Sequence, residues 1–521
     1  MMTRLGVNVE GASPYHADIS DPLTRLTGLA YRIGRQKPKP SRFMLCEMRK
    51  FAFKWAQKFK NIPNDYDFGF ESWLMKTSYP EWRKNELREA LAKGFPNKNI
   101  VKTHFKEEWY SEPKPARSIN AREDFWKCVL GPYIKAIEHS IFSNTRFAKY
   151  VPVSERNHYI YERLWAPGAT YAETDFSQFE SHFVCDVNWA ILGPIYATAL
   201  GITEAEFSDL EARLRSTKDD GEFYDFNALF DNGMSRLEFL QMYMRVTNPE
   251  NGHVMHSGDW FITGIQAEMS GEMDTSCKNG VTNAFLYDFF NFQAGNNEFN
   301  RGCFEGDDGV TVNDAVVEGD VYAKAGFTIK MKTTQYLPDT DFCGMVSGEF
   351  GSITTTDPIK VVLGFGWGTR GYVGARRSRR LELLRAKALS FLYVYRGSPI
   401  IQALSSRIVF LTRHINMKRF LDKDRVSSRY YKDMVSDALD AYNAGKLELL
   451  QPDDDIRLVV ETRFGILRHH QFQLEEYFGT LVDLSPLEHP LLIHYAPHEY
   501  VWHDLCYVGS NREWFEPIVF R

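Results

Sequence analysis

The residues best suited to chemistry are two adjacent carboxylates, Asp307 and Asp308, in Cys303-Phe304-Glu305-Gly306-Asp307-Asp308-Gly309-Val310. β-Prone runs flank a glycine-bounded bend, so the stretch reads as a strand, a tight turn carrying the acids, and a second strand. Hard oxygen ligands at such a turn suit Mg2+, which keeps part of its water shell and binds through one or two carboxylates together with substrate phosphates. A solvated polar turn is the competing reading. Two other acidic runs, Lys218-Asp219-Asp220-Gly221 and Pro452-Asp453-Asp454-Asp455, could imitate it, so the partners of the pair decide.

Residues 169–175 read as a strand ending in Asp175, and 177–199 as a helix with Phe179, Phe183, Val187 and Ile191 four apart. An acid at that junction either points into a cleft or caps the helix. Glu180 returns near the same end if 177–180 forms a first turn. Further on, Ser270-Gly271 makes a flexible loop before a helix running from 274 or 275 to about 292. Thr275, Asn279 and Asn283 share one face of that helix. The stripe could serve a sugar hydroxyl or belong to a plain amphipathic helix. Lys114, Arg117 and Arg122 lie in Lys114-Pro115-Ala116-Arg117-Ser118-Ile119-Asn120-Ala121-Arg122. Guanidinium groups grip phosphate oxygens in pairs, so this loop could line a triphosphate path; a solvated basic loop is the alternative.

A chain of 521 residues exceeds one ordinary core and implies several lobes. Its 44% hydrophobic and 25% charged residues are those of a soluble globular protein. It has no apolar run of about 18 residues and no signal-like leader, so membrane association would come through a partner or an amphipathic surface. Seven cysteines without a Cys-x-x-Cys pair disfavour a disulfide framework or zinc ribbon and fit a reducing compartment. At a net charge of −6, nucleic-acid binding needs local basic clusters.

The first fifty residues, rich in Pro and Gly and basic at Arg32, Arg35, Lys37 and Lys39, read as an extended lead-in. Helices are expected at 43–59, 82–93, 123–142 and 316–325, the last ending at Gly326, with a strand at 327–332. The Gly-rich run 364–374 lacks the strand and helix of a nucleotide fingerprint, and there is no P-loop. From 375 the pattern is helical, apart from loops near 397–399 and 451–452. Its first helix carries Arg376, Arg377, Arg379, Arg380, Arg385 and Lys387.

In order, these pieces resemble the RNA-dependent RNA polymerases of positive-strand RNA viruses, most closely the tombusvirus-like and nodavirus-like groups, over about 79–402. Thr174-Asp175-Phe176-Ser177-Gln178-Phe179-Glu180 is similar to motif A, and Ser270-Gly271-Glu272-Met273-Asp274-Thr275-Ser276-Cys277-Lys278-Asn279 matches motif B at every defined position. Glu305-Gly306-Asp307-Asp308 resembles motif C, Gly326-Phe327-Thr328-Ile329-Lys330 motif D, Asp341-Phe342-Cys343-Gly344 motif E, and 114–122 the basic finger motif F. The resemblance departs at Glu180, where the family usually has Asp, and at Gln178, where the tombusvirus version commonly has Arg.

The resemblance implies an α+β right-hand polymerase fold with an RRM-like antiparallel palm sheet and a mostly helical thumb. Its expected parts are an N-terminal extension bridging fingers and thumb (1–60), fingers (61–165), palm with motif A (166–200), a fingers insertion (201–262), palm with motifs B to E (263–348), and thumb with the C-terminal region (349–521). It implies template-directed RNA synthesis from ribonucleoside triphosphates, with Asp175 and Asp307 holding two Mg2+ ions (Mn2+ a substitute) and Asp308 assisting. Lys330, with Lys332 as fallback, would protonate pyrophosphate; Lys114, Arg117 and Arg122 would grip the triphosphate. Glu180, Ser270, Gly271, Thr275 and Asn279 would bind and check the sugar, and the Arg-rich helix would contact the phosphate backbone. Implied partners are RNA template and product, nucleoside triphosphates, other viral replication proteins, and host membranes reached through partners, in a membrane-associated replication complex of the host cytoplasm. Tyr477, Phe478, Tyr495 and Trp502 could build a priming platform or belong to the core. Rival readings are a reverse transcriptase-like enzyme, against which Glu305 stands where an aromatic residue is usual, and a non-catalytic RNA-binding scaffold with a palm fold.

Overall fold

Two four-stranded sheets and a set of helices organise the computed structural model, which describes residues 2–34, 37–96, 99–110, 112–216, 234–258, 260–312, 318–422 and 429–508. The acidic run 218–221, Arg35 and the expected helix start at 316–317 lie outside the described residues. The strands used below are β1 (Ile100–Phe105), β2 (Ser118–Ala121), β3 (Tyr171–Phe176), β4 (His253–Ser257), β5 (Trp260–Ile265), β6 (Gly302–Glu305), β7 (Asp308–Val312) and β8 (Ile329–Thr334). The helices are α1 (Pro22–Ile33), α2 (Arg42–Ala56), α3 (Asp124–Phe142), α4 (Thr275–Gln293), α5 (Arg377–Val394) and α6 (Asp454–Phe464). The fold is mixed α+β.

One sheet has the order β8-β3-β7-β6 and is antiparallel throughout. Along β3, Ala172, Thr174 and Phe176 are buried while Glu173 and Asp175 take the more accessible face, the two-residue alternation of a half-covered sheet. The covering element on the buried side is α4, whose Phe285 and Phe289 meet Phe51 of α2 at 5.6 and 5.5 Å between ring centres. The second sheet runs β2-β1-β4-β5, with β1 and β4 parallel. Its inner residues Val101 and Met255 pack with Leu29 of α1, Ala267 and Met269.

A buried ionic network ties these layers together. Arg146 Nη1 donates to Asp288 Oδ2 of α4 at 2.5 Å, and Trp55 Nε1 of α2 donates to the same oxygen at 2.7 Å. The Arg146 carbonyl accepts from Phe304 N of β6 at 2.8 Å. A charge pair this deep persists only when each lone pair has a donor, and Asn300 N supplies another to Asp288 Oδ1.

The expected helix 177–199 is broken. Gln178 adopts a left-handed conformation (φ 56°, ψ 53°), a 3-10 turn covers Phe179–His182, Val184 is extended, and helix resumes only as Cys185–Ala190 and Leu192–Ala199. Backbone bonding goes elsewhere at the break: Ser177 N donates to Thr328 O and Glu268 N to Glu180 O. The four-residue spacing nevertheless holds for burial, since Phe179, Phe183, Val187 and Ile191 are all in the core. A 3-10 turn, Gly319–Ala325, replaces the rest of the expected helix before Gly326 (φ +93°). The following strand begins at Ile329.

The lead-in is extended at first and then forms α1, which periodicity alone left unseen. Asp21 caps it by accepting from Thr24 N, and Pro22 occupies its first position. Before that, Thr3–Arg4 pairs with Trp367–Gly368 and Tyr15–His16 with Trp109–Tyr110. The Gly-rich run serves this contact: a Cβ at Gly366 would lie 2.3 Å from Asn8 N. The C-terminal region is helical as expected, but α5 spends its charges unevenly. Arg385 Nη1 donates to Val409 O, and Lys387 Nζ to Gly364 O and Trp367 O, so these two brace the core while Arg376, Arg377 and Arg379 are exposed. Of the C-terminal aromatics, Phe478 is core, Tyr477 and Tyr495 pack against it partly buried, and Trp502 is half exposed. Among the described residues, no helix is long and apolar enough to cross a membrane.

Asp288→Ala strands the Arg146 charge, and urea denaturation should register a loss of about 3–5 kcal/mol. A loss below about 1 kcal/mol would mean that the pair does not brace the sheet.

Candidate active site

Gly306, at φ +60°, lets the chain reverse between β6 and β7, a conformation residues with a Cβ resist. Two contacts then fix the tip. Asn283 Nδ2 of α4 donates to the Asp307 carbonyl at 3.0 Å, and Gly280 allows the helix so close that a Cβ there would lie 3.4 Å from Gly306 N. Across the sheet, Gly309 faces Thr174. Thr174 Oγ1 donates to Gly309 O at 3.2 Å, and a Cβ at 309 would meet that hydroxyl at 2.7 Å. With this register, Asp175 at the end of β3 and Asp308 at the start of β7 come side by side.

The acids act on one another. Burial, and then Glu180 and Asp175, raise Asp307 above the ordinary carboxylate range, while Arg117 opposes the rise. Asp308 is pushed up to about 7 by burial and then by Asp307, Asp341 and Asp175. Asp341 is raised by burial, Glu173 and Asp175. Carboxylates from three parts of the chain thus share one poorly solvated neighbourhood. Glu173 is partly compensated: its Oε2 accepts from Asp341 N at 2.7 Å, and Arg463 of α6 lies 3.4 Å away.

Among the described residues, no three His, Cys, Asp or Glu side chains form a ready cage for an ion. A hydrated Mg2+ that also takes substrate oxygens needs none. Asp175, Asp307 and Asp308 bring hard carboxylate oxygens to one place, a donor set that could hold a divalent cation.

Lys330 stands across from Asp175 in the β8–β3 register, and Lys332 across from Glu173. Lys332 is 3.9 Å from Asp339. Lys114 pairs with Glu112 at 2.6 Å and is half exposed, and Lys330 also acts on Glu112. Arg117 lies 3.7 Å from Glu108, accessible and near enough to Asp307 to influence it.

Arg122 is a correction. Its side chain is 5% exposed and saturated by internal partners: Glu272 Oε1 at 2.8 Å, Asn99 Oδ1 at 2.6 Å and the His253 ring at 3.0 Å. A guanidinium so enclosed cannot grip a triphosphate; instead it joins Glu272 and Lys278 (3.1 Å apart) in a buried network under the 269–274 loop.

The sugar-checking candidates divide. Ser270 Oγ donates to Ser118 O at 3.2 Å and Gly271 N to Asn120 O at 2.9 Å, so the loop is docked on β2. Thr275 Oγ1 donates to Glu272 O in its own first turn, and the buried Asn279 Oδ1 has no hydrogen-bond partner. Glu180 and Ser270 share a small cavity. Sequence reasoning gave two contributors, Lys149 and Arg32, no part in the site, and gave Asn283 a place in the stripe but not its hold on the turn. Lys149, whose Nζ donates to Ser276 Oγ at 2.9 Å and Glu305 Oε1 at 3.1 Å, and Arg32 had no local signal. Comparison with protein-family models and with curated proteins finds no match.

Because Asp308 sits above its unfolded value, the folded chain holds a proton that the unfolded chain releases between pH 3.8 and about 7. Its contribution to stability therefore falls as pH rises through that window. In chelator-containing buffer, Asp308→Asn should gain melting temperature relative to wild type as pH rises from about 4 to 8, and Mg2+ should narrow the gap at the upper end. A gap independent of pH would refute the raised proton affinity of Asp308.

Proposed function

We propose that the chain is an RNA-dependent RNA polymerase that joins ribonucleoside triphosphates on an RNA template, as in replication of a viral RNA genome. One observation carries this reading: Asp175 and Asp307 lie on neighbouring antiparallel strands, β3 and the β6–β7 turn, with the polar stripe of α4 holding the turn from below. These are the three sequence motifs of the resemblance, brought together in space. On this reading the β8-β3-β7-β6 sheet is the palm of a right hand. Segments 61–165 and 201–262 are fingers, 349–521 the thumb, and the lead-in joins the two.

When bound by Asp175 and Asp307, two Mg2+ ions, or Mn2+ in their stead, supply Lewis acidity for attack of a primer 3′-hydroxyl on an α-phosphate and for departure of pyrophosphate. Asp308 would assist in holding the ions from beside the pair. Asn283 holds the Asp307 backbone, which limits the freedom of the metal-holding carboxylate. Lys330 carries a proton on the same face as Asp175 and gives it to the leaving pyrophosphate. Arg117 and Lys114 bind the triphosphate; Arg122 does not take part. Glu180, with Ser270, Gly271, Thr275 and Asn279, forms the sugar side, where the unpartnered Asn279 Oδ1 offers an acceptor. The exposed arginines at the start of α5 meet phosphates without reading bases. Template and product RNA are the macromolecular ligands. The same reading implies other viral replication proteins as partners, and a membrane-associated complex in the host cytoplasm.

Primer extension with Mg2+ or Mn2+ tests this. Asp307→Ala and Asp175→Ala should each lose at least about 10²–10³-fold in rate, the scale of removing a principal electrostatic stabiliser; full activity in either would falsify the two-metal assignment. For the proton donor, Lys330→Ala should lower kcat by about 10²–10⁴-fold, the span of general acid catalysis. Lys332→Ala should stay near wild type, and the reverse order would move the role to Lys332.

A further inference from the structure

On the polymerase reading, we propose that Arg32 of α1 acts with Glu180 in sugar recognition, the guanidinium and the carboxylate flanking the place of a ribose 2′-hydroxyl so that ribose is accepted and deoxyribose disfavoured. Helix α1 is firmly seated where this is needed. Leu29 is buried with Val101, Met255 and Met269, and a Cβ at Gly28 would lie 2.4 Å from Ala116 O, so the helix backbone rests directly on the loop that carries Arg117. One turn further, Arg32 Nη1 reaches to 4.0 Å from Glu180 Oε2, with both side chains about a quarter exposed (24% and 25%).

Between them is a cavity of about 20 Å³, walled by Arg32, Asn120, Gln178, Glu180, Glu268 and Ser270. That is room for one water-sized group. Among the described residues that line it, Arg32 is the one cation. Its wall has unused hydrogen-bonding capacity: both carboxyl oxygens of Glu268 and Oε1 of Gln178 are buried without hydrogen-bond partners. The 4.0 Å separation is too long for a direct hydrogen bond, yet an oxygen between the two groups could accept from the guanidinium and donate to the carboxylate. A 2′-hydroxyl is both donor and acceptor and fits that demand; a 2′-hydrogen leaves both groups unanswered. Glu180 also has one methylene more than Asp and therefore more rotamers to lose, so a partner that narrows them has an evident use. Glu180 also lies close enough to the reacting centre to act on Asp307.

The test is single-nucleotide incorporation by the full chain, comparing kcat/KM for matched NTP and 2′-deoxy-NTP in wild type, Arg32→Gln and Arg32→Lys. Arg32→Gln should reduce the ribose preference about 10-fold or more, by losing NTP efficiency while dNTP efficiency holds; Arg32→Lys should recover part of it. On a Glu180→Gln background, Arg32→Gln should add nothing, since both remove one interaction. Arg32→Met, similar in length and uncharged, carries the same expectation should Arg32→Gln fold poorly. An unchanged preference, equal losses for both nucleotides, or additive effects would overturn the role, leaving an ordinary surface ion pair of little consequence. Wild-type extension combined with any of those results removes only Arg32. No extension by wild type with either nucleotide would sink the polymerase reading and this inference together.

Discussion

Like charge held at close quarters is the constraint on which the rest of the molecule depends. Burial, with the neighbouring carboxylates adding to it, raises the proton affinity of Asp307, Asp308 and Asp341, so the local tendency is to spread apart. What opposes it is backbone pairing of β3 with β7, closed to the point where Thr174 nearly touches Gly309. Strand pairing is cooperative and buried on the α4 side, and it therefore fixes the acids in a way that side-chain contacts alone could not.

The support for this sheet is also ionic, but there charges of opposite sign meet. Arg146 and Asp288 lie beneath β6, and Arg122, Glu272 and Lys278 beneath the 269–274 loop. In both networks charge-assisted hydrogen bonds tie segments distant in sequence, Arg146 to Asp288 and Arg122 to Glu272. Oppositely charged pairs thus lie under the sheet, while carboxylates crowd at the β6–β7 turn. Arg463 stands at the boundary, linking α6 to Glu173 while leaving Asp175 without a cross-chain partner of that kind.

The lead-in gives the fold a further connection. It pairs with Trp367–Gly368 beside the C-terminal helices, with Trp109–Tyr110 beside β1, and then lays α1 over the second sheet. A segment so anchored restrains both regions and carries Arg32 to the turn after β3. The glycines at 366 and 28 are the local condition for this, because each permits a backbone approach that a Cβ would block.

By itself, the sequence determined the elements whose signals are short in range. The β6–β7 hairpin follows from Gly306 and its β-prone flanks, α4 from its apolar period, the strand that carries Asp175 from its composition, though it runs Tyr171–Phe176 rather than 169–175, and the helical C-terminal region from its spacing. Only the tertiary structure decided which polar groups are free to act. Arg122 looked like its neighbour Arg117, yet Glu272, 150 residues away, claims it. Arg385 and Lys387 looked like Arg379, yet carbonyls of other segments hold them. The break after β3 arises because Glu180 and Ser177 bond to Glu268 and Thr328. Local pattern specifies backbone conformation, since that depends on neighbours within a turn or two. The role of a charged side chain depends on its desolvation and its partner, and both are supplied by residues distant in sequence.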